Sequence, residues 1–153
     1  MTVERSIELP CGQAEVWEVL TRWERQVDWM LDADEIVVRS EQRSGVGVRI
    51  DVRTRLFQIP AFIEPMEVIA WDPPRCLGIA HGGLVRGHGS WVLSATEGGT
   101  RFTWTEEVVL RLPVVGAFAA AIYAPVMRVL MGRAQRHLRR LIIASGPWTA
   151  AAA

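Results

Sequence analysis

From Val48 to Leu56 the chain alternates without a fault. Val48, Ile50, Val52, Thr54 and Leu56 fall on one side, and Arg49, Asp51, Arg53 and Arg55 on the other. A period of two belongs to a β-strand, and this one has a dry face and a wet face. Such strands pair in antiparallel sheets, because strands of parallel sheets are buried on both faces and read as unbroken apolar runs. The dry face needs a cover. The only long amphipathic element available is the last one, predicted from Pro113, a residue suited to a first helical turn, to about Ser145. A kink is expected at Pro125. Beyond it Met127, Leu130, Met131, Ala134, Leu138, Leu141 and Ile142 fill one arc, and Arg128, Arg133, Arg136, Arg139 and Arg140 the opposite one.

The remaining segments fit between these two. Val3 to Leu9 alternates as a strand, with Arg5 spoiling its apolar side, and Pro10-Cys11-Gly12 ends it. Val16, Val19, Leu20 and Trp23 recur at helical spacing, and Trp29-Met30 closes a second short helix or turn. Further strands are predicted at Glu35–Ser40, Val46–Leu56, Phe62–Trp71, Arg75–Ala80, Leu84–Ala95 and Thr100–Leu110. Pro65 favours an edge position or a bulge in its strand. Asp72-Pro73-Pro74, Gly82-Gly83 and Glu97-Gly98-Gly99 supply turns. Consecutive short strands should pair as neighbours. The expectation is an α+β domain with a curved antiparallel sheet of about seven strands, two short helices after the first strand, and a long C-terminal helix gripped by the sheet. Residues 1–147 would form one domain, with 148–153 as a frayed tail.

Composition excludes several functions. The formal net charge is +0, so no global field draws nucleic acid. All 17 basic residues are arginine, and lysine and asparagine are absent, a bias expected of a GC-rich bacterial coding sequence. Cys11 and Cys76 form no metal or redox motif, so a reduced cytoplasmic setting is expected. The N-terminus lacks the apolar run of a signal peptide. The uncharged stretch between Arg111 and Arg128 falls short of the roughly 20 residues that span a bilayer. Stable membrane insertion is therefore not expected. The arginine arc of the last helix reads first as a solvated face, and peripheral contact with anionic lipid heads stays open.

Several short marks occur in a telling order. They are Val3-Glu4-Arg5-Ser6-Ile7, Ala14-Glu15-Val16-Trp17-Glu18-Val19-Leu20, Trp29, Gly45-Val46-Gly47, Trp71-Asp72-Pro73-Pro74, Gly89-Ser90-Trp91-Val92-Leu93 and Gly98-Gly99-Thr100-Arg101-Phe102-Thr103-Trp104. Together they resemble the START-like (SRPBCC) superfamily in its polyketide cyclase/dehydrase branch, over nearly the whole chain. The resemblance implies a helix-grip fold and a cavity between sheet and helix for an apolar or amphipathic ligand, polyketide-, lipid- or quinone-like. It brings no universal catalytic motif, no cofactor and no metal. An enzyme of cyclase or dehydratase type and a non-catalytic carrier or chaperone are both open, as are monomer and homodimer.

Residues for such a cavity can be read from the faces. From the sheet, Ile50, Val52, Met66, Val68, Ile79, Trp91, Phe102 and Trp104 are expected to line it, with Trp29 from the connection after the short helices. Phe118, Ile122, Tyr123 and Met127 would face it from the last helix. Aromatics of this kind serve packing and ligand stacking alike. Glu64 and Glu106 share otherwise apolar faces, where an unpaired carboxylate is costly, so each is paired, at the rim, or available as an acid or base. Glu67 and Glu107 are the alternatives if a bulge shifts the register. His81 and His88 flank a glycine-rich turn that would set them side by side, and His81 is a third acid/base candidate. Two histidines with no third ligand make no metal site. Nucleophilic catalysis has no support, since no G-x-S-x-G elbow occurs.

Overall fold

The computed structural model describes residues 1–56, 59–83, 85–110 and 116–146, excepting the side chains of 56, 59–61, 85, 109–110 and 116–122. Within them the order is β1 (Thr2–Leu9), α1 (Gln13–Leu20), a 3-10 helix (Trp23–Asp28), β2 (Ala33–Val38), β3 (Arg49–Leu56), β4 (Ile59–Asp72), β5 (Cys76–Gly82), β6 (Val85–Thr96), β7 (Gly99–Leu110) and α2 (Gly116–Ser145). All seven strands form one antiparallel sheet in the order β1-β7-β6-β5-β4-β3-β2. It curls into a half-barrel with α2 against it, the helix-grip architecture. Pro113 and the tail from Pro147 lie outside the described residues. The helix runs through Pro125 without ending.

Burial follows the expected register. Ile50, Val52, Trp91, Phe102 and Trp104 are buried, and Arg49 and Arg53 are exposed. Asp51 and Arg55 depart from expectation, both being half-buried. Asp51 is covered by Arg39, whose Nε donates to it at 2.8 Å. Arg55 sits where the β3–β4 register slips: Thr54 pairs with Phe62 and Arg55 with Pro60, leaving Ala61 over. That bulge breaks the alternation, and Arg55 pairs with Asp34 at the cavity edge. β3 begins at Arg49, later than the expected Val46, because Gly45 and Gly47 take φ of 89° and 93°, outside the extended region. Val46 is accordingly exposed.

β4 is a central strand, and it carries Pro65 where its ladder to β5 has run out. That ladder spans Met66↔His81 to Asp72↔Cys76. A residue without N–H is tolerated where no β5 partner remains. A second bulge on β4, between Val68 and Ala70, turns Trp71 to the same face as its partner Leu77. Trp71 there meets Trp17 of α1 edge-on at 5.0 Å and Trp23 at 6.2 Å.

The C-terminal half of α2 is closely packed on the sheet. Met131, Ala134, Leu138 and Ile142 are 0–2% exposed. Gln135, buried beside them, donates Nε2–H to the Arg5 carbonyl at 3.0 Å. Arg5 spoils the apolar side of β1 without harm, since Gly132 leaves room for its guanidinium; a Cβ there would lie 3.0 Å from Nη2. On the inner side of the sheet Trp29, Trp91, Phe102 and Trp104 form an aromatic cluster with centroids 5.7–6.4 Å apart. Cys11 and Cys76 are free thiols, and burial with the nearby Glu15 pushes Cys11 up to about 11. No described helix is long and apolar enough to cross a membrane.

Candidate functional site

The described residues in the N-terminal half of α2, Tyr123 to Leu130, stand over an opening in the packing. Between them and the sheet is a cavity of about 360 Å³. Ile50, Val52, Met66, Ile79, Trp91 and Trp104 stand on its sheet wall, and Tyr123 and Met127 on its helix wall. Trp29, Val68 and Phe102 do not line it; they are almost fully buried in the packing behind. The side chains of Phe118 and Ile122 lie outside the described residues.

Three ionisable groups converge on one patch of this wall. Glu64 projects from β4, His81 from β5 and Glu106 from β7. Glu64 and His81 are diagonal neighbours across a strand pair, since His81 pairs with Met66. His81 and Glu106 are two strands apart, about 10 Å of backbone separation. Their side chains meet because the strand between them, β6, carries Gly87 and Gly89 at that point. A Cβ on Gly89 would stand 2.6 Å from Glu106 Oε1, and one on Gly87 1.9 Å from the Glu107 carbonyl oxygen. Gly89 leaves the inner face of β6 bare beside Glu106, and the carboxylate occupies that space, while Gly87 lets β6 lie close against the backbone of β7.

Glu106 is fully engaged there. Trp104 Nε1 donates to Oε1 at 2.6 Å, and His81 Nε2 lies 2.9 Å from Oε2. On its other side His81 Nδ1 lies 3.2 Å from Glu64 Oε1, an ion-pair distance without hydrogen-bond alignment, so neither atom has a hydrogen-bond partner. Burial alone would lower the His81 pKa. The hydrogen bond to Glu106, and then the close contact with Glu64 and the negative charge of both carboxylates, more than offset it and hold the imidazole at about 9. At neutral pH His81 is therefore a cation and donates its Nε2–H to Glu106.

Two more groups face the cluster. Asp32, in the turn before β2, has its carboxyl raised by burial, against its own backbone hydrogen bond, and further by Glu64 and Glu106. Tyr123, from α2, is pushed well up by burial and then by the same carboxylates, so it stays a neutral hydroxyl.

The outward alternatives stay outward. Glu67 and Glu107 are exposed. His88 is not beside His81. It pairs with Ala80, on the opposite face, and contacts Glu107 at 3.3 Å. The β5–β6 register aligns His81 with Gly87, and one residue of offset puts the two histidines on different faces. Asp32 and Arg55 were not foreseeable as wall residues, one lying in a turn and the other beyond a bulge. The inner-face pair Gly87 and Gly89 was the available signal that two side chains could meet across β6. No described group of three or more His, Cys, Asp or Glu side chains is placed to hold a metal ion.

The family model described as polyketide cyclase/dehydrase and lipid transport matches residues 1–142. No curated protein sequence matches the chain. The fold is similar to the crystal structure of TTHA0849 from Thermus thermophilus, with a TM-score of 0.80 and 17% identity over 95% of this chain and 99% of that one. It is also similar to StfQ, a di-domain ARO/CYC protein of the steffimycin biosynthetic pathway, with a TM-score of 0.77 and 12% identity over 94% of this chain and 51% of that one. SA2116 of Staphylococcus aureus, described as of unknown function, shares the fold at a TM-score of 0.73 and 13% identity, over 95% of this chain and 94% of that one. At these identities the likeness to solved structures is one of fold.

Proposed function

The chain belongs to the polyketide cyclase/dehydrase and lipid transport family, and on that premise we propose that it binds a small hydrophobic or amphipathic molecule between the sheet and α2. The observation that carries this reading is the cavity, about 360 Å³ of mainly apolar space with its polar groups gathered at one place. That volume lies at the lower end of small-molecule sites. Ile50, Val52, Met66, Ile79, Trp91, Trp104 and Met127 would hold the apolar body. Glu64, His81, Glu106 and Tyr123 would receive the polar end. A body of about ten carbons gains roughly 8 kcal/mol from burial at about 0.8 kcal/mol per methylene. Ordering costs of several kcal/mol leave room for micromolar affinity.

A second reading adds chemistry, favoured by the contact between His81 Nδ1 and Glu64 Oε1 at 3.2 Å with neither atom spent on a hydrogen bond. On a bound β-hydroxy carbonyl, Glu64 would take the proton from carbon while His81 gives one to the departing hydroxyl. The C–H and C–O bonds break, a C=C bond forms and water leaves. Glu64 then returns its proton to His81 across that same gap, which closes the cycle. A carrier would use these groups only as an anchor.

The test is titration with Nile red, a neutral apolar dye. Saturable binding at micromolar concentration is expected, weakened about tenfold by Trp104→Ala, which deletes part of the wall. Absence of saturable binding to the wild-type protein overturns the reading. A β-hydroxyacyl thioester that loses water with the wild type, and not with Glu64→Gln, separates the enzyme from the carrier.

A further inference from the structure

The charges in the cavity do not balance. Asp32, Glu64 and Glu106 bring three carboxyl groups to one wall, and the basic side chains among its described lining residues are His81 and Arg55. Arg55 is committed to Asp34. Among the described residues one imidazolium is left to face three carboxyl groups. Glu106 is well served, with a donor on each oxygen. Glu64 is not. Its side chain is only 9% exposed, and its Oε1 has no hydrogen-bond partner. Burying a carboxylate without an aligned donor costs free energy that a ligand's N–H group can recover.

The groups facing Glu64 from the neighbouring elements narrow what that ligand is. Tyr123 on α2 contributes a neutral hydroxyl, and Asp32 a further acid. Trp91 and Trp104 contribute aromatic wall, which attracts cations within about 6 Å of a ring face. An anionic head group would add its charge to a poorly solvated wall that already holds more carboxyl groups than cations. A cationic one meets an acceptor that lacks a donor.

We propose that this cavity selects hydrophobic monocations: molecules with an apolar body and a protonated amine whose N–H groups hydrogen-bond to Glu64 Oε1. The proposal rests on the binding reading above and adds the charge of the ligand to it. It sets amines above fatty-acid anions as occupants.

Three ten-carbon probes that differ only at the head test it: decylamine, decanol and decanoate, each displacing Nile red at pH 7. Decylamine should bind at least about tenfold more tightly than decanoate, with decanol between them, the scale of one charge-assisted hydrogen bond. Glu64→Gln keeps the shape and removes the charge. It should shrink the preference for decylamine over decanol by about tenfold. Glu67→Gln, on the outer face, should leave that preference as it is. Decanoate binding as tightly as decylamine overturns the proposal, and so does a preference that survives Glu64→Gln. The wild-type comparison stands even if the variant misfolds. If Nile red binds and the three heads are not distinguished, only the charge assignment falls. If Nile red does not bind, the cavity reading falls and this one with it.

Discussion

The two halves of α2 lie over the same sheet and meet it differently. Toward the C-terminal end Leu138 and Ile142 are pressed into a filled core where α2 meets β1 and β7, and Met131 and Ala134, also buried, mark where that core gives way to the cavity that they help to line. The N-terminal half holds Tyr123 and Met127 over a void, while Val126 and Val129 are 44% and 52% exposed. Both regions use inward-facing residues of one sheet. The filled end holds apolar groups and satisfied amides, and the hollow end holds the unbalanced acids. Stability comes from the end where every inward atom has a neighbour. The other end is free to keep groups that a packed core would reject.

That division predicts unequal costs for similar truncations. Phe102→Ala, at 0% exposure behind the wall, should lower stability by about 3–5 kcal/mol in urea unfolding, since it opens a new cavity in a filled region. Met66→Ala, on a cavity that already exists, should cost about 1 kcal/mol. Equal costs would erase the distinction between the halves.

The hollow end should also make stability depend on pH in a way the filled end does not. His81 is raised from its ordinary 6.5 to about 9, so its folded form binds the proton more tightly than the unfolded chain does. The stabilisation is fully present below about pH 6.5 and is lost as pH climbs through about 9. It amounts to roughly 3 kcal/mol. Stability of the wild type should fall across that window, and His81→Gln should flatten the fall. A wild-type profile that is already flat from pH 6.5 to 9.5 would remove the imidazolium from the site.

The smallest change to the chain probes the seat of Glu106. Gly89→Ala brings a methyl group to within 2.6 Å of Oε1, so the carboxylate must leave its bonds to Trp104 and His81. A loss of about 2 kcal/mol is expected. Combining Gly89→Ala with Glu106→Ala should cost clearly less than the two single losses added, because the second change removes what the first one strikes. Strict additivity in that cycle would mean that the glycine is there for another reason.

The fold was legible because its main signals were periodic. The alternation at Val48 to Val52 fixed one face of the sheet, and the arc from Met131 to Ile142 identified the element that covers it. The bulge at Val68/Ala70 was not legible, since nothing in the local sequence marks its unpaired residue, and the one at Thr54/Arg55 lies beside Pro60 and not at the Pro65 where a bulge was expected. They account for the half-buried Arg55 and the inward Trp71. Parity along single strands sufficed to turn Glu64 and Glu106 inward. Their meeting with His81 depends on register between strands, which a turn rich in glycine leaves open. The same uncertainty misplaced His88. The void itself cannot be read from periodicity, because wall residues such as Trp91 and core residues such as Phe102 share one inward pattern.

A glycine-to-alanine exchange ranks among the mildest entries in any scale of amino-acid similarity. At position 89 that ranking fails, because the volume beside the glycine belongs to another residue's carboxylate. The two positions therefore carry one joint piece of information. Among relatives aligned to this chain, a side chain at the position matching 89 and an acid at the position matching 106 should exclude each other. Two columns of an alignment would then sort the family into members built to hold the buried acid and members built without it, before any of their structures is determined.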